Sequence, residues 1–364
     1  MISPEDMEKM VRPEVKAMPA YVPIEPTEVL SRRIGVPEKN VVKLDGNENP
    51  YGCSPRVKRA LADYAYYNIY PDPEQRELRR ELKKYTGISE NNIMAGSGSD
   101  ELIDLILRLF IRPGDGVINC PPTFGMYPFS TNICGGKVIN IPRKVDFSVD
   151  IAAVKKAIDK GAKVIFIASP NNPTGNLTLE PDILEMLKGT TAVVIDEAYY
   201  EFSGVTVAPL VPKYPNLIVL RTFSKWAGLA GLRVGYGIFP NNLMEYLMKI
   251  KQPYNVNAAA QVAALESLKD LRYLMGTIKA IVKERERLLS GLLHLDWLKV
   301  YPTQSNFVLC RVLKGSAGEL HKELQTRGIF IRYFDTPLLK DCLRISVGKP
   351  EHTDKLLAAL QHAG

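Results

Sequence analysis

The sequence predicts an α/β protein: a large domain with a mostly parallel sheet between helices, and a small α+β domain beside it. Three observations carry this. Strand-sized apolar runs alternate with helical patterns through the middle of the chain, the signature of a parallel sheet covered on both faces. Polar segments rich in Gly, Pro and Ser follow several of those runs directly. Beyond about Pro253 the pattern changes to long helices with a few late strands. A chain of 364 residues exceeds one ordinary core, which also favours two domains. The expected division is an arm and part of the small domain in residues 1–50, the large domain in 51–252, and the small domain in 253–364.

Taken in order, the first fifty residues are punctuated by Pro13, Pro19, Pro23, Pro26, Pro37 and Pro50 and read as an arm with at most short helices. Residues 55–67 and 74–85 read as helices, 93–95 as a short strand, and 99–110 as an amphipathic helix. Strands are expected at 116–119, 137–141, 164–168, 192–195 and 217–220, with helices at 151–159 and 181–187 between them. Helices at 257–268 and 271–293 follow, then strands at 305–311, 329–331 and 342–347.

Composition removes several classes of function. The apolar runs fall far short of the ~20 residues a membrane helix needs, so no membrane partner is expected. Residues 1–10 carry Glu5, Asp6 and Glu8 without an apolar stretch, so no secretory leader is expected. Cys53, Cys120, Cys134, Cys310 and Cys342 form no C-x-x-C pair, and an odd, dispersed set fits reduced thiols in a cytoplasm. The net charge of +7 comes without a dense Lys/Arg block, so no nucleic-acid partner is expected. His294, His321, His352 and His362 lack metal-site spacing and read as surface or packing residues, so no metal is expected.

Four polar segments follow apolar strand runs, and in open α/β sheets a ligand sits beyond the carboxyl ends of the strands. Gly96-Ser97-Gly98-Ser99-Asp100-Glu101 opens a helix, whose free N–H groups and positive dipole end suit a phosphate. The same segment also reads as a tight turn with a helix cap, and Glu101 stands where a dinucleotide-binding motif needs glycine. Ser169-Pro170-Asn171-Asn172-Pro173-Thr174-Gly175 is a turn whose proline holds Asn172 extended. Asp196-Glu197-Ala198-Tyr199 places a carboxylate at the end of a buried strand, which is costly without a cation or donor. A protonated ring nitrogen is one such partner and Mg²⁺ another, although no phosphate-binding G-x-x-x-x-G-K-[ST] loop accompanies it. Thr222-Phe223-Ser224-Lys225 puts a lysine among apolar neighbours, where a lowered pKa makes it a nucleophile. Ser224 and Arg233 have the donors to hold a phosphate.

Together these segments resemble the fold-type I aminotransferases, which depend on pyridoxal 5'-phosphate. The matching residues are Asn172, Asp196, Tyr199, Ser224, Lys225 and Arg233. The resemblance implies a seven-stranded type of sheet in the large domain. It implies that Lys225 holds the cofactor covalently and later moves the proton, and that Asp196 pairs with the ring nitrogen. Asn172 and Tyr199 would contact the phenolic oxygen. Gly98, Ser99, Asp100, Thr222, Ser224 and Arg233 would form the phosphate site. Asp196 and Tyr199 join Lys225 as the implied catalytic set.

Further segments resemble the histidinol-phosphate aminotransferases. They are Asp45-Gly46-Asn47-Glu48-Asn49-Pro50, Tyr70-Pro71-Asp72-Pro73, Cys120-Pro121-Pro122-Thr123-Phe124-Gly125-Met126-Tyr127 and Leu343-Arg344-Ile345-Ser346-Val347-Gly348. The resemblance implies that Phe124 stacks on the cofactor ring, in place of a commoner tyrosine, and that Tyr70 reaches the partner subunit's cofactor in a homodimer. Tyr21, Asn47, Arg332 and Arg344 would bind substrate. The implied reaction moves the amino group of a small-molecule donor, L-histidinol phosphate, to 2-oxoglutarate in a cytoplasmic enzyme of histidine biosynthesis. The alternatives within the fold are an aromatic amino-acid aminotransferase and a lyase resembling threonine-phosphate decarboxylase. A cofactor-binding regulatory module would carry an added DNA-binding domain, for which the arm before Asn47 leaves little room.

Overall fold

A computed structural model describes residues 2–20 and 23–361 of the chain. Tyr21 and His362 therefore lie outside the described residues. The strands are β1 Val42–Leu44, β2 Ile93–Gly96, β3 Gly116–Asn119, β4 Lys137–Asn140, β5 Val164–Ala168, β6 Ala192–Asp196, β7 Leu217–Thr222, β8 Gly235–Ile238, β9 Leu298–Val300, β10 Phe307–Val312, β11 Ile329–Tyr333 and β12 Cys342–Ser346.

Seven of them form one sheet in the order β2-β8-β7-β6-β5-β3-β4. The pairs from β7 through β4 are parallel, and β8 runs antiparallel to both β7 and β2. This is the mostly parallel sheet expected. Every residue of β5, β6 and β7 is buried, because helices cover both faces. The helix Gly98–Phe110 shows how the cover is made. Leu102, Ile103, Leu105, Ile106 and Leu107 are buried, while Arg108 is exposed and bridges Asp104 at 2.7 Å.

The other five strands form a second sheet in the order β1-β11-β12-β10-β9. Its first strand comes from the beginning of the chain: Val42 and Leu44 lie parallel to Ile329 and Ile331. The chain leaving β1 then runs from Asp45 to Asn49, with Asp45, Asn47 and Asn49 covered and Glu48 exposed. The 23-residue helix Leu271–Leu293 packs on β9 and on the final helix Pro350–Gln361. The arm forms the short helices Pro4–Met10, Pro13–Lys16 and Thr27–Ile34.

Several expected elements shift at their ends. The helix from Pro55 stops at Asp63 rather than at residue 67, and Tyr64 turns extended as its ring meets Tyr66 and Tyr67 edge-on. β8 was not expected as a strand, because Gly235 and Gly237 lower strand propensity. Packing requires both glycines. A Cβ at Gly235 would lie 2.7 Å from the backbone nitrogen of Ser99, and one at Gly237 would lie 2.4 Å from the Phe239 ring.

Candidate active site

The strand ends of the large sheet carry the predicted groups side by side. Asp196 closes β6, Thr222 closes β7, and Lys225 follows three residues later. Lys225 lies between the buried Ser224 and Trp226, and its Nζ donates to the carbonyl of Gly46 at 3.1 Å. Burial pushes its ammonium down to about 8, with the guanidiniums of Arg344 and Arg233 acting the same way against Glu48 and Asp100. A buried indole anchors this turn: Trp226 stacks on Tyr85 with centroids 5.4 Å apart.

Asp196 is 4% exposed. Burial pushes its carboxyl up to about 6, opposed by two donors: the Tyr127 hydroxyl to Oδ2 at 2.7 Å and the Ala198 N–H to Oδ1 at 3.0 Å. The hydroxyl of Tyr199 accepts from Asn47 Nδ2 at 3.0 Å, and its ring meets Phe307 edge-on at 5.1 Å. Asn47 is tied to the small sheet, its backbone N–H donating to Ser346 Oγ and its Oδ1 accepting from the same hydroxyl, both at 2.9 Å. Asn47 adopts φ 52°, and its carbonyl accepts from Asn306 Nδ2 at 3.0 Å. Arg344 donates from Nη1 to Asn172 Oδ1 at 2.6 Å and from Nη2 to the carbonyl of Asp45. Arg332 lies opposite Arg344 across the β11–β12 pair, 5.7 Å over the Phe334 ring.

An anion cradle forms at the start of the helix Gly98–Phe110. Gly98 begins its helix at φ +78°, and a Cβ there would lie 2.8 Å from Arg233 Nη2. Arg233 itself adopts φ 53° and bridges Asp100 at 2.7 Å. The hydroxyls of Thr222 and Ser224 bond each other at 2.9 Å beside it, and Ser99 lies in the helix's first turn. The first turn of a helix leaves N–H groups without internal partners.

These residues fit pyridoxal 5'-phosphate group by group. A lysine with a depressed pKa suits its aldehyde, and a buried carboxylate suits a protonated ring nitrogen. The Asn172 amide and the Tyr199 hydroxyl suit the phenolic oxygen. The helix start with Thr222, Ser224 and Arg233 suits the phosphate.

Phe124 and Tyr70 make ring contacts within this chain. Phe124 packs edge-on to Tyr127, centroids 5.5 Å apart, and the Tyr127 hydroxyl in turn bonds Asp196. Tyr70 is 77% exposed and stacks on Tyr254 at 4.4 Å. Sequence reasoning also missed functional neighbours. Tyr127 stood at the end of a quoted motif, but nothing in its spacing showed that it would reach Asp196. Behind the strand ends lies a buried ion pair, Glu197 with Arg221 at 2.9 Å. Thr206 Oγ1 and the Val207 N–H donate to Glu197, and the Arg221 guanidinium lies 3.7 Å over the Tyr200 ring. Among the described residues there is no group of three or more His, Cys, Asp or Glu that could hold a metal ion. No described helix is long and apolar enough to cross a membrane.

Comparison with known proteins places the chain in a family. The family model for aminotransferase class I and II matches residues 39–360. A histidinol-phosphate aminotransferase of Dehalococcoides mccartyi is 49% identical over 359 residues, covering 99% of each chain. A chloroplastic histidinol-phosphate aminotransferase of Nicotiana tabacum is 48% identical, covering 97% of this chain and 86% of its own. The crystal structure of histidinol-phosphate aminotransferase from Sinorhizobium meliloti in complex with pyridoxal-5'-phosphate superposes with a TM-score of 0.88 at 28% identity, covering 97% of each chain. The chain belongs to the class I and II aminotransferases and, within them, to the histidinol-phosphate aminotransferases.

Proposed function

We propose that this chain catalyses pyridoxal-phosphate-dependent transamination between L-histidinol phosphate and 2-oxoglutarate, giving imidazole acetol phosphate and glutamate in histidine biosynthesis. One observation carries the reading: Asp196 ends one strand and Lys225 follows the carboxyl end of its neighbour, and in the Gly98–Arg233 cradle the charge of Asp100 acts on both and that of Arg233 on Lys225. When bound, pyridoxal phosphate supplies the electron sink that makes the substrate Cα–H acidic.

The chain's own residues do the rest. Lys225 presents an amine that loses its proton at lower pH than a surface lysine, so it acts as a nucleophile near neutrality and then as the proton carrier. Asp196 presents a fixed negative charge to the ring nitrogen. Tyr199 and Asn172 offer polar groups to the phenolic oxygen. Gly98, Ser99, Asp100, Thr222, Ser224 and Arg233 secure the phosphate. Arg344 and Arg332, with Tyr21 and Asn47, receive the anionic end of either substrate, because a guanidinium fork suits phosphate and carboxylate alike.

The working form in this reading is a cytoplasmic homodimer. Tyr66, Tyr67, Ile69 and Tyr70 are all exposed along one short stretch, which supports a second copy as their cover. The five cysteines are all unpaired, which suits a reducing compartment.

The test is a donor panel with purified protein: histidinol phosphate, histidinol, phenylalanine, tyrosine and threonine phosphate. Histidinol phosphate should be used far better than histidinol. Equal use of the two, or preference for phenylalanine, would reject the substrate while leaving the chemistry standing.

A further inference from the structure

We infer that Tyr127 is a positioning residue for the reaction: its hydroxyl holds the Asp196 carboxylate ionised and turned toward the ring nitrogen of the bound cofactor. This rests on the role proposed for Asp196 above.

The geometry is closely constrained. The Tyr127 hydroxyl donates to Asp196 Oδ2 at 2.7 Å, and the Ala198 N–H donates to Oδ1 at 3.0 Å. Each carboxylate oxygen thus has one donor from the protein and keeps lone-pair capacity for a ring N–H. The Tyr127 side chain is fully buried and has little freedom. Its ring lies parallel to Phe166 with centroids 4.9 Å apart and meets Phe124 edge-on at 5.5 Å. Its helix is secured by the Thr131 hydroxyl, which donates to the Tyr127 carbonyl at 2.7 Å.

The charges around Asp196 explain why a donor is needed. The groups that act on Asp196 are the Tyr127 hydroxyl and the charges of Asp100 and Glu197, with the Tyr199 phenol in turn feeling its charge, and none of these is a cation. Burial and the two neighbouring carboxylates favour the protonated acid, which would leave the ring nitrogen without its counter-charge. The two hydrogen bonds oppose this. Arg143 is the cation whose charge acts on Tyr127. Burial and the nearby Asp196 hold the phenol well above its ordinary range, so Tyr127 remains a donor at every working pH.

The test uses the full chain, stripped of cofactor and titrated with pyridoxal phosphate while tryptophan fluorescence is followed. The reloaded protein is then scanned for the pH midpoint of its visible band. Tyr127→Phe keeps the ring stacking and removes only the donor. Its cofactor dissociation constant should rise on the order of 10-fold or more, as for a lost hydrogen bond to a charged group. The midpoint should move up, because a less positive ring stabilises the protonated linkage to Lys225. In an Asp196→Asn background the same change should alter neither quantity, since the charge it supports is already gone. A fluorotyrosine at this one position is nearly isosteric and a stronger donor, so it should move the midpoint down and reads the same contact if the phenylalanine variant folds poorly. Equal effects in both backgrounds, or no shift from either replacement, would overturn the inference. If Asp196→Asn itself changes nothing, the proposed role of Asp196 falls and this inference with it. A shift from Asp196→Asn with none from Tyr127 variants rejects Tyr127 alone.

Discussion

Arg344, on a strand of the smaller sheet, donates to Oδ1 of Asn172, on the loop beyond β5 of the larger one, at 2.6 Å. A second nitrogen of the same guanidinium bonds the carbonyl of Asp45 in the segment leaving β1. The predicted substrate cation is therefore aimed by a residue predicted to touch the cofactor. Arg344→Ala should weaken both histidinol phosphate and 2-oxoglutarate, each by roughly 1.5–3 kcal/mol for a lost charged hydrogen bond. Arg344→Lys should recover little, because a lysine lacks the fork. Steady-state KM values for both substrates test this, and an effect on only one of them rejects a shared anion site.

The depressed pKa of Lys225 makes a second prediction about the cofactor-free chain. Its folded value of about 8 lies below the unfolded value of 10.5, so between those values the unfolded chain binds the extra proton. Stability from this group therefore rises with pH across roughly pH 8 to 10.5 and is lowest below pH 8. Lys225→Met removes the penalty. The variant should melt higher than wild type at pH 7, and the gap should close toward pH 10. A gap that stays constant with pH would show that the lysine's charge is not its cause. The same variant should be inactive.

How far these features could be read in the sequence depended on how local their causes are. The buried parallel strands are continuous apolar runs, and β3 and β5 begin and end where the pattern does. The lysine, aspartate and helix-opening glycines stand directly after such runs, so their convergence follows from topology. β8 was hidden because its glycines are required by close contact with Ser99 and Phe239, neighbours distant in sequence. Tyr127 and the Glu197–Arg221 pair were hidden for the same reason. A tyrosine in a helix and an arginine in a strand show no sign of a buried carboxylate partner until the chain is folded.

That ion pair makes a third prediction. Glu197 and Arg221 are nearly inaccessible, and the Glu197 N–H also bonds the carbonyl of Leu220, linking the ends of β6 and β7. Removing one partner leaves a buried charge uncompensated. Glu197→Gln should cost about 3–5 kcal/mol in urea unfolding. Pairing Glu197→Leu with Arg221→Met should restore much of that loss, because an apolar pair of similar volume avoids the desolvation cost. If the double variant is as unstable as the single one, the pair acts through its hydrogen bonds to Thr206 and Val207 rather than through charge.

The last prediction concerns Tyr70. Its ring stacks on Tyr254, and the loop after it is secured from below: Lys251 Nζ donates to the carbonyl of Pro73 at 2.8 Å. Gln75 joins the same loop to the strand before the cradle. Its Nε2 donates to the Ala95 carbonyl at 3.0 Å and its Oε1 accepts the Ala95 N–H at 2.9 Å. Tyr70 is thus held on a fixed loop, stacked on Tyr254 by one face yet largely exposed, the arrangement expected of a group that serves a second copy. Tyr70→Ala homodimers should bind cofactor weakly in both sites. Lys225→Ala homodimers should be inactive in both. Mixed dimers of the two should gather both lesions in one site and leave the other intact, so up to about half of the wild-type activity per mixed dimer should return on subunit exchange. If Tyr70 instead served its own chain, each site of the mixed dimer would carry one lesion, and the activity would not exceed the average of the two parents.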